Sequence, residues 1–182
     1  MTEAFADILK EIIELSKTGN AKAQFELYQL YARAMFNICM RMMRNFSEAE
    51  DLLQESFTEA FSKLDSFRYE SSFGAWLKKI VVNKCINSLK RKKISLVLLD
   101  NLQDIDIEAE QYDVENNELE VNKVREAIEQ LPDGYRVIFS LYSLEGYDHL
   151  EIAEILGISE STSKSQYMRA KNKLKEILKK NI

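Results

Sequence analysis

The chain has 182 residues, 46% of them hydrophobic and 30% charged, with a formal net charge of −5. Five Gly and one Pro leave few turn formers for β-hairpins, whereas apolar residues recur at helical spacing, so the composition excludes a strand-rich fold and predicts an all-α protein. No apolar run approaches the length of a membrane span, and the acidic amphipathic start is unlike a signal peptide. We expect a cytoplasmic protein without direct membrane insertion.

Charge is distributed unevenly along the chain. Nine acids and no Lys or Arg lie between Asp100 and Glu120, whereas residues 162–182 hold seven Lys or Arg and one acid. The negative net charge of the whole chain therefore masks a basic C-terminal segment, and such a segment is compatible with a nucleic-acid partner. We predict two small helical domains, residues 1–93 and 123–182, joined by an acidic linker at 94–122. Disorder in isolation is the simplest interpretation of this linker, and it is compatible with ordering in the basic channel of a protein partner.

Few residues in the chain could support catalysis or hold a metal. Cys39 and Cys85 have no second Cys or His nearby at ligand spacing, which predicts buried reduced thiols rather than a zinc site or a disulfide framework. His149 is the one histidine and is most simply a surface residue at the start of a helix. We expect no cofactor, no metal and no enzymatic activity.

The first domain begins with three predicted helices, Thr2–Lys17, Ala21–Arg44 and one capped by Ser47 that runs to about Lys63. The third buries an apolar face and turns an acidic and amide surface outward. That surface comprises Asp51, Gln54, Glu55 and Glu59. Spacing alone favours a solvated face, and a docking face for a basic partner is the alternative.

The loop from Asp65 to Ser72 is polar but carries two aromatic residues and an Arg. Phe67 or Tyr69 together with Arg68 could stack on and grip an unpaired base. The competing interpretation is that one of the aromatic rings anchors the loop to the core.

A helix from Phe73 to Lys93 follows, and it carries amide and cationic groups opposite its apolar side. These are Lys78, Lys79, Asn83, Lys84, Asn87, Lys90 and Arg91, followed by Lys92 and Lys93. Cations are common at a helix C-terminus, yet so many polar groups along one helix favour a nucleic-acid surface over a purely solvated face.

The second domain is predicted as four helices. The first spans residues 121–130, Pro132 marks a stop, and the next runs from Tyr135 to Leu144 and presents Tyr142 to a small core. The stretch Asp148–Lys175 then reads as two helices broken at Gly157, with Ser159 capping the second, which is typical of a helix-turn-helix. Its outer face and flanks carry Lys164, Ser165, Met168, Arg169, Lys171 and Lys173.

Together these segments resemble a bacterial RNA polymerase sigma factor of the extracytoplasmic-function (ECF) group of the sigma-70 family. The resemblance is carried by AEDLLQESFTEAF at Ala49–Phe61, the segment Leu64–Lys93, and LPDGYRVIFSLYSLEGYDHLEIAEILGISESTSKS followed by RAKNKL. Single motifs of this kind are weak, but their order and spacing are specific. The resemblance implies binding to core RNA polymerase and promoter-specific transcription initiation.

The resemblance also implies roles for individual residues. Asp51, Gln54 and Glu55 would contact the clamp helices of the polymerase beta-prime subunit. The loop with Phe67 and Arg68 would hold a base flipped from the minus-ten element. The non-template DNA strand would lie beside Asn83, Lys84 and Asn87. Its phosphates would be held by Lys90, Arg91, Lys92 and Lys93. The minus-thirty-five element would meet Lys164, Ser165, Met168, Arg169, Lys171 and Lys173. The polymerase beta flap and an anti-sigma factor are further implied partners.

Four positions depart from the family's pattern. At positions 164 and 171, Lys stands where Arg is frequent, which we expect to give up bidentate geometry. Ser163 replaces a usually apolar residue, which we expect to weaken helix packing slightly. Gln166 replaces a frequent Arg, which we expect to remove a phosphate-holding charge. The alternative function is a stand-alone helix-turn-helix regulator with a helical sensor domain, although no helix suggests an operator-pairing dimer.

Overall fold

A computed structural model describes residues 3–92 and 117–180, and every regular element in these ranges is helical. The all-α prediction is therefore confirmed. The chain divides into two compact units, Met1–Ser88 and Leu89–Ile182. Within the described ranges, no helix combines the length and the apolar character that crossing a membrane requires.

The first unit is built from α1 to α4, and polar caps fix where its helices begin. The helices are α1 Glu3–Lys17, α2 Ala21–Met43, α3 Phe46–Ser62 and α4 Phe73–Arg91, with a short 3₁₀ helix at Leu64–Ser66. The N-cap of α3 is Asn45, whose side chain accepts a hydrogen bond from the Glu48 amide at 3.1 Å. The prediction that Ser47 caps this helix is therefore wrong. Arg44, in a left-handed conformation, turns the chain directly from α2 into Asn45.

Aromatic and aliphatic side chains from α2, α3 and α4 form the core of the first unit. Tyr31 packs edge-on against Phe73 at 5.1 Å between ring centroids, which joins α2 to α4. Cys39 and Cys85 are both free and buried, with their sulfurs 3.8 Å apart, as the prediction of buried reduced thiols requires. The core therefore holds α4 against α2.

Between residues 117 and 180, the second unit contains four α-helices, one of which continues into a π-helix. Its elements are α5 Asn117–Glu129, α6 Asp133–Phe139, the π-helix Ser140–Leu144, α7 His149–Leu156 and α8 Glu160–Lys180. The first of these begins within the segment assigned to the linker. The remainder of that linker, together with Lys93, lies outside the described residues.

One hydrophobic core cluster of the second unit lies between α5, α6 and α8. It is formed by Ala127, Ile128, Leu131, Tyr135, Ala170 and Leu174. Arg136 is also buried here, and its guanidinium donates to the Leu131 carbonyl at 3.1 Å and to the Asp133 carboxylate at 2.6 Å. These partners compensate for placing a charge inside the unit.

Local hydrogen bonds define the helix-turn-helix formed by α7 and α8. Asp148 caps α7 in a reciprocal capping box with Glu151. Gly157 ends this helix at φ +73°, a conformation that favours glycine. The Ser159 hydroxyl then accepts from the Thr162 amide at 3.0 Å and begins α8. The predicted helix-turn-helix is confirmed.

Candidate docking and nucleic-acid interfaces

The predicted docking residues lie together on the outer side of α3. Asp51, Gln54 and Glu55 are exposed because the apolar positions of α3 turn toward α2 and leave this face to solvent. They line an open groove of about 590 Å³ whose other lining residues are Thr58, Glu59, Ser62 and Lys84. We call this set the docking groove. Its acids and amide present a surface suited to a basic partner.

Lys84 reaches this groove from α4. Its ammonium lies 3.0 Å from Glu59 and 3.5 Å from Glu55. The hydrogen bond with Glu59 raises the pKa of Lys84. The hydrogen bond from Lys63, which has the larger effect, and the hydrogen bond from Lys84 both lower the pKa of Glu59. The side chain predicted to lie beside DNA is therefore engaged with the acids of the docking groove.

The loop after α3 combines a buried aromatic anchor with an open cavity. Phe67 is only 4% exposed and packs against Phe73 and Trp76, with centroid distances of 5.8 and 5.4 Å. Of the two interpretations of this ring, the structure favours the anchor. A cavity of about 350 Å³ lies beside it, lined by Ser66, Phe67, Arg68, Glu70, Ser71 and Trp76. The lining combines aromatic and polar side chains, and we name the cavity the minus-ten cavity after the role that the resemblance implies for this loop.

The other aromatic residue of the loop ties it to α1. Tyr69 has a φ of +62°, uncommon for a residue with a side chain, and its hydroxyl donates to Glu14 at 2.6 Å. Desolvation and this bond raise the pKa of Tyr69 to about 12. The ammonium of Lys17 lies 5.0 Å from the centre of the ring. No local sequence signal indicates this contact, because Glu14 and Tyr69 are 55 positions apart.

The polar face of α4 divides into two parts. Lys84 is half-buried and turns toward α3, whereas four of the other predicted residues follow an exposed stripe at helical spacing. This stripe comprises Asn83, Asn87, Lys90 and Arg91. Amide and cationic groups along one face can contact bases and phosphates of a single strand.

The predicted recognition residues lie along α8. Lys164, Ser165 and Met168 are exposed, with 53% of Met168 accessible. Arg169, Lys171 and Lys173 are partly exposed on the flanks. Lys164 pairs with Glu160 at 2.7 Å, one helical turn earlier. The face therefore offers two exposed donors and a methyl group, the kinds of group that read base edges.

The expected role of Gln166 is corrected by the structure. Gln166 is only 2% exposed and lies on the buried stripe of α8 with Ser163 and Ala170. A side chain at this position faces the interior of the unit, so the expected loss of a phosphate-holding charge does not describe this chain. The sequence pattern missed this because Gln is usually an exposed residue.

His149 is more than a surface residue. Its Nδ1 lies 3.0 Å from the hydroxyl of buried Ser163, and its ring stacks on Tyr142 at 4.4 Å. Tyr167 packs against both rings. The expectation that Tyr142 packs into a small core is also wrong, since its ring is partly exposed and covers His149. The cluster joins residues from the π-helix, α7 and α8. Helical spacing within one element does not predict such contacts.

Comparison with known families matches the same two parts of the chain. The sigma-70 region 2 family matches residues 27–94, which include the docking groove and the minus-ten cavity. The sigma-70 region 4 family matches residues 122–174, which include the helix-turn-helix.

Individual proteins are similar over most of the chain. The ECF RNA polymerase sigma factor SigM of Bacillus subtilis is 30% identical, covering 86% of this chain and 96% of SigM. SigW of the same organism, also an ECF RNA polymerase sigma factor, is 29% identical, covering 94% and 97%. The structure of the sigma factor RpoE with the anti-sigma factor NepR from Bartonella quintana matches with a TM-score of 0.55 and 25% identity, covering 85% of this chain and 95% of the matched chain. The chain therefore belongs to the ECF group of RNA polymerase sigma factors in the sigma-70 family.

Proposed function

We propose that this sigma factor binds core RNA polymerase through the docking groove and directs it to promoters through two separate DNA surfaces. The observation that carries the proposal is that Asp51, Gln54 and Glu55 are all exposed and line one groove. A basic helix such as those of the beta-prime clamp would complement this surface in charge. The beta flap is the partner we propose for the second unit.

We propose the minus-ten cavity as the holder of an unstacked base. Phe67 and Trp76 supply an aromatic floor, and Arg68 supplies a cation at the rim. Capturing the base would offset the cost of unstacking it, which is on the order of a few kcal/mol. The displaced strand would continue along the amides of Asn83 and Asn87. Its phosphates would contact Lys90 and Arg91.

We propose α8 as the reader of the minus-thirty-five element. Lys164 and Arg169 would reach guanine edges or phosphates, Ser165 would donate or accept, and Met168 would touch a thymine methyl. Lys171 and Lys173 would lie along the backbone. Because Lys lacks the bidentate geometry of Arg, positions 164 and 171 would discriminate less than Arg would.

The proposed contribution to transcription is recognition and capture, while polymerase supplies the nucleotidyl chemistry. We therefore propose that the protein is not itself an enzyme and that it acts in the cytoplasm, where polymerase and the chromosome are found. An anti-sigma factor is a further proposed partner, since the matched RpoE structure is a complex with one.

In vitro transcription with core polymerase tests the proposal. The wild-type chain should bind core and yield promoter-specific transcripts, whereas Asp51→Arg combined with Gln54→Ala should abolish core binding. Glu50→Gln, which neutralises an exposed acid of α3 outside the groove lining, is the matched control and should bind normally. Circular dichroism checks that each variant keeps its helical fold. A wild-type chain that fails to bind core, yet binds promoter DNA alone, would instead be a stand-alone regulator.

A further inference from the structure

Lys84 belongs by sequence to a DNA-facing helix but lies by structure in the docking groove. Its ammonium contacts Glu59 and Glu55, at 3.0 and 3.5 Å. Asn83 and Asn87, on the same helix, face solvent instead. While it pairs with these carboxylates, the Lys84 ammonium is held at the groove and not on the solvent-facing side of the helix.

Charge in the docking groove shows what the Lys84 ammonium does in the free protein. The groove lining holds the carboxylates of Asp51, Glu55 and Glu59, and Lys84 is the cation within that lining. Lys63, outside the lining, also pairs with Glu59 at 2.7 Å, whereas Glu55 pairs with Lys84. Only 28% of the Lys84 side chain is exposed. In the free protein Lys84 therefore occupies the position that a cation of a docking partner would take.

We propose that Lys84 is an internal counter-ion of the docking groove, and that the basic polymerase segment displaces it and so frees it for the DNA strand. The inference rests on the proposed docking function. Displacement is feasible because partly exposed ion pairs are weak and a cationic helix offers several replacements. Polymerase docking would then strengthen DNA binding, and by linkage DNA would strengthen docking by the same factor.

The distinguishing experiment compares one variant in two states of the protein. Lys84→Met removes the charge and keeps an apolar side chain of similar reach. Binding of a fluorescein-labelled oligothymidine is measured by anisotropy, first with the free 182-residue chain and then with the chain bound to core polymerase. We expect no change for the free variant and a weakening of about two- to fivefold for the complex, the size of one charge contact.

Core affinity supplies the second measurement. Without the internal cation, the groove should bind core about two- to fivefold more tightly at low salt, and the gain should fade as salt rises. Lys79→Met is the matched control, because Lys79 is exposed on the same helix but does not line the groove. This control should leave core affinity unchanged, and thermal unfolding checks that both variants are folded.

The outcomes separate this inference from the proposed function. Equal weakening of oligothymidine binding in the free and bound states would show that Lys84 is already available, and would overturn the inference. If Lys84→Met binds core polymerase with the same affinity as Lys79→Met, the inference is overturned as well. If the wild-type chain fails to bind core, the proposed function fails first and the inference falls with it.

Discussion

The hydroxyl of Ser163 lies 3.0 Å from Nδ1 of His149, and this hydrogen bond joins the two helices of the helix-turn-helix. Ser163 is fully buried, so its hydroxyl depends on a partner within the protein. Ser163 therefore fixes α8 against α7 through its hydroxyl.

The His149–Ser163 bond can be tested by a double-mutant cycle. His149→Phe keeps an aromatic ring for Tyr142 but leaves the buried hydroxyl unpaired, and should destabilise the second unit by about 1–3 kcal/mol. Adding Ser163→Ala should recover part of this loss, since both polar partners are then absent. Thermal unfolding by circular dichroism measures the effect, and fluorescence of Trp76 in the first unit is the control. Strictly additive changes would contradict the bond.

The burial of Gln166 predicts the outcome of placing an Arg at this position, where the resemblance led us to expect one. Gln166→Arg should destabilise the protein by about 1–3 kcal/mol, because a longer charged side chain must enter a packed position. Gln166→Met, of similar volume and without charge, should be tolerated better. Urea unfolding and promoter binding are measured in parallel. An Arg variant that binds promoter DNA more tightly at undiminished stability would mean that position 166 faces DNA.

The Tyr69–Glu14 contact predicts an alkaline titration. Tyr69 should ionise at about pH 12 instead of its ordinary 10.0. Glu14→Gln should lower this midpoint because the adjacent carboxylate no longer opposes ionisation. Absorbance after rapid pH jumps, taken as the difference from Tyr69→Phe, isolates this tyrosine. A midpoint near 10 in the wild type would contradict the contact.

The same contact gives the sign of its pH-dependent stability. The folded-state pKa of Tyr69 is raised, so the stability it contributes is complete below pH 10 and is lost as pH rises through about 12. Hydrogen bonds from Tyr69 and Lys17 lower the pKa of Glu14 from 4.5. Its contribution is therefore present above pH 4.5 and is lost as pH falls through the lowered pKa.

The recognition helix is tested by two charge deletions. Lys164→Ala and Arg169→Ala should each cost about 1–3 kcal/mol in binding of the upstream promoter element. Lys179→Ala removes an equal charge from the last turn of α8 and serves as the control. Affinities of the polymerase complex for labelled promoter DNA provide the measurement. If both deletions bind like the control, α8 does not read this element.

Periodicity and cap chemistry in the sequence determined the helices and most of their exposed faces. The spacing of apolar residues exposes Asp51, Gln54 and Glu55 on α3, and Lys164, Ser165 and Met168 on α8. Gly157 and Ser159 mark the turn between α7 and α8. These features follow from interactions within a few residues, which is why one chain without its fold is enough to predict them.

Contacts between distant segments were decided only by the tertiary structure. Lys84 and Asn83 are neighbours on one helix, yet packing against α3 gives one of them acidic partners and leaves the other exposed. Gln166 and His149 change role for the same reason, because burial depends on which helix lies opposite. Helical spacing sets the direction of a side chain on its own helix, but its partner is chosen by how the helices pack.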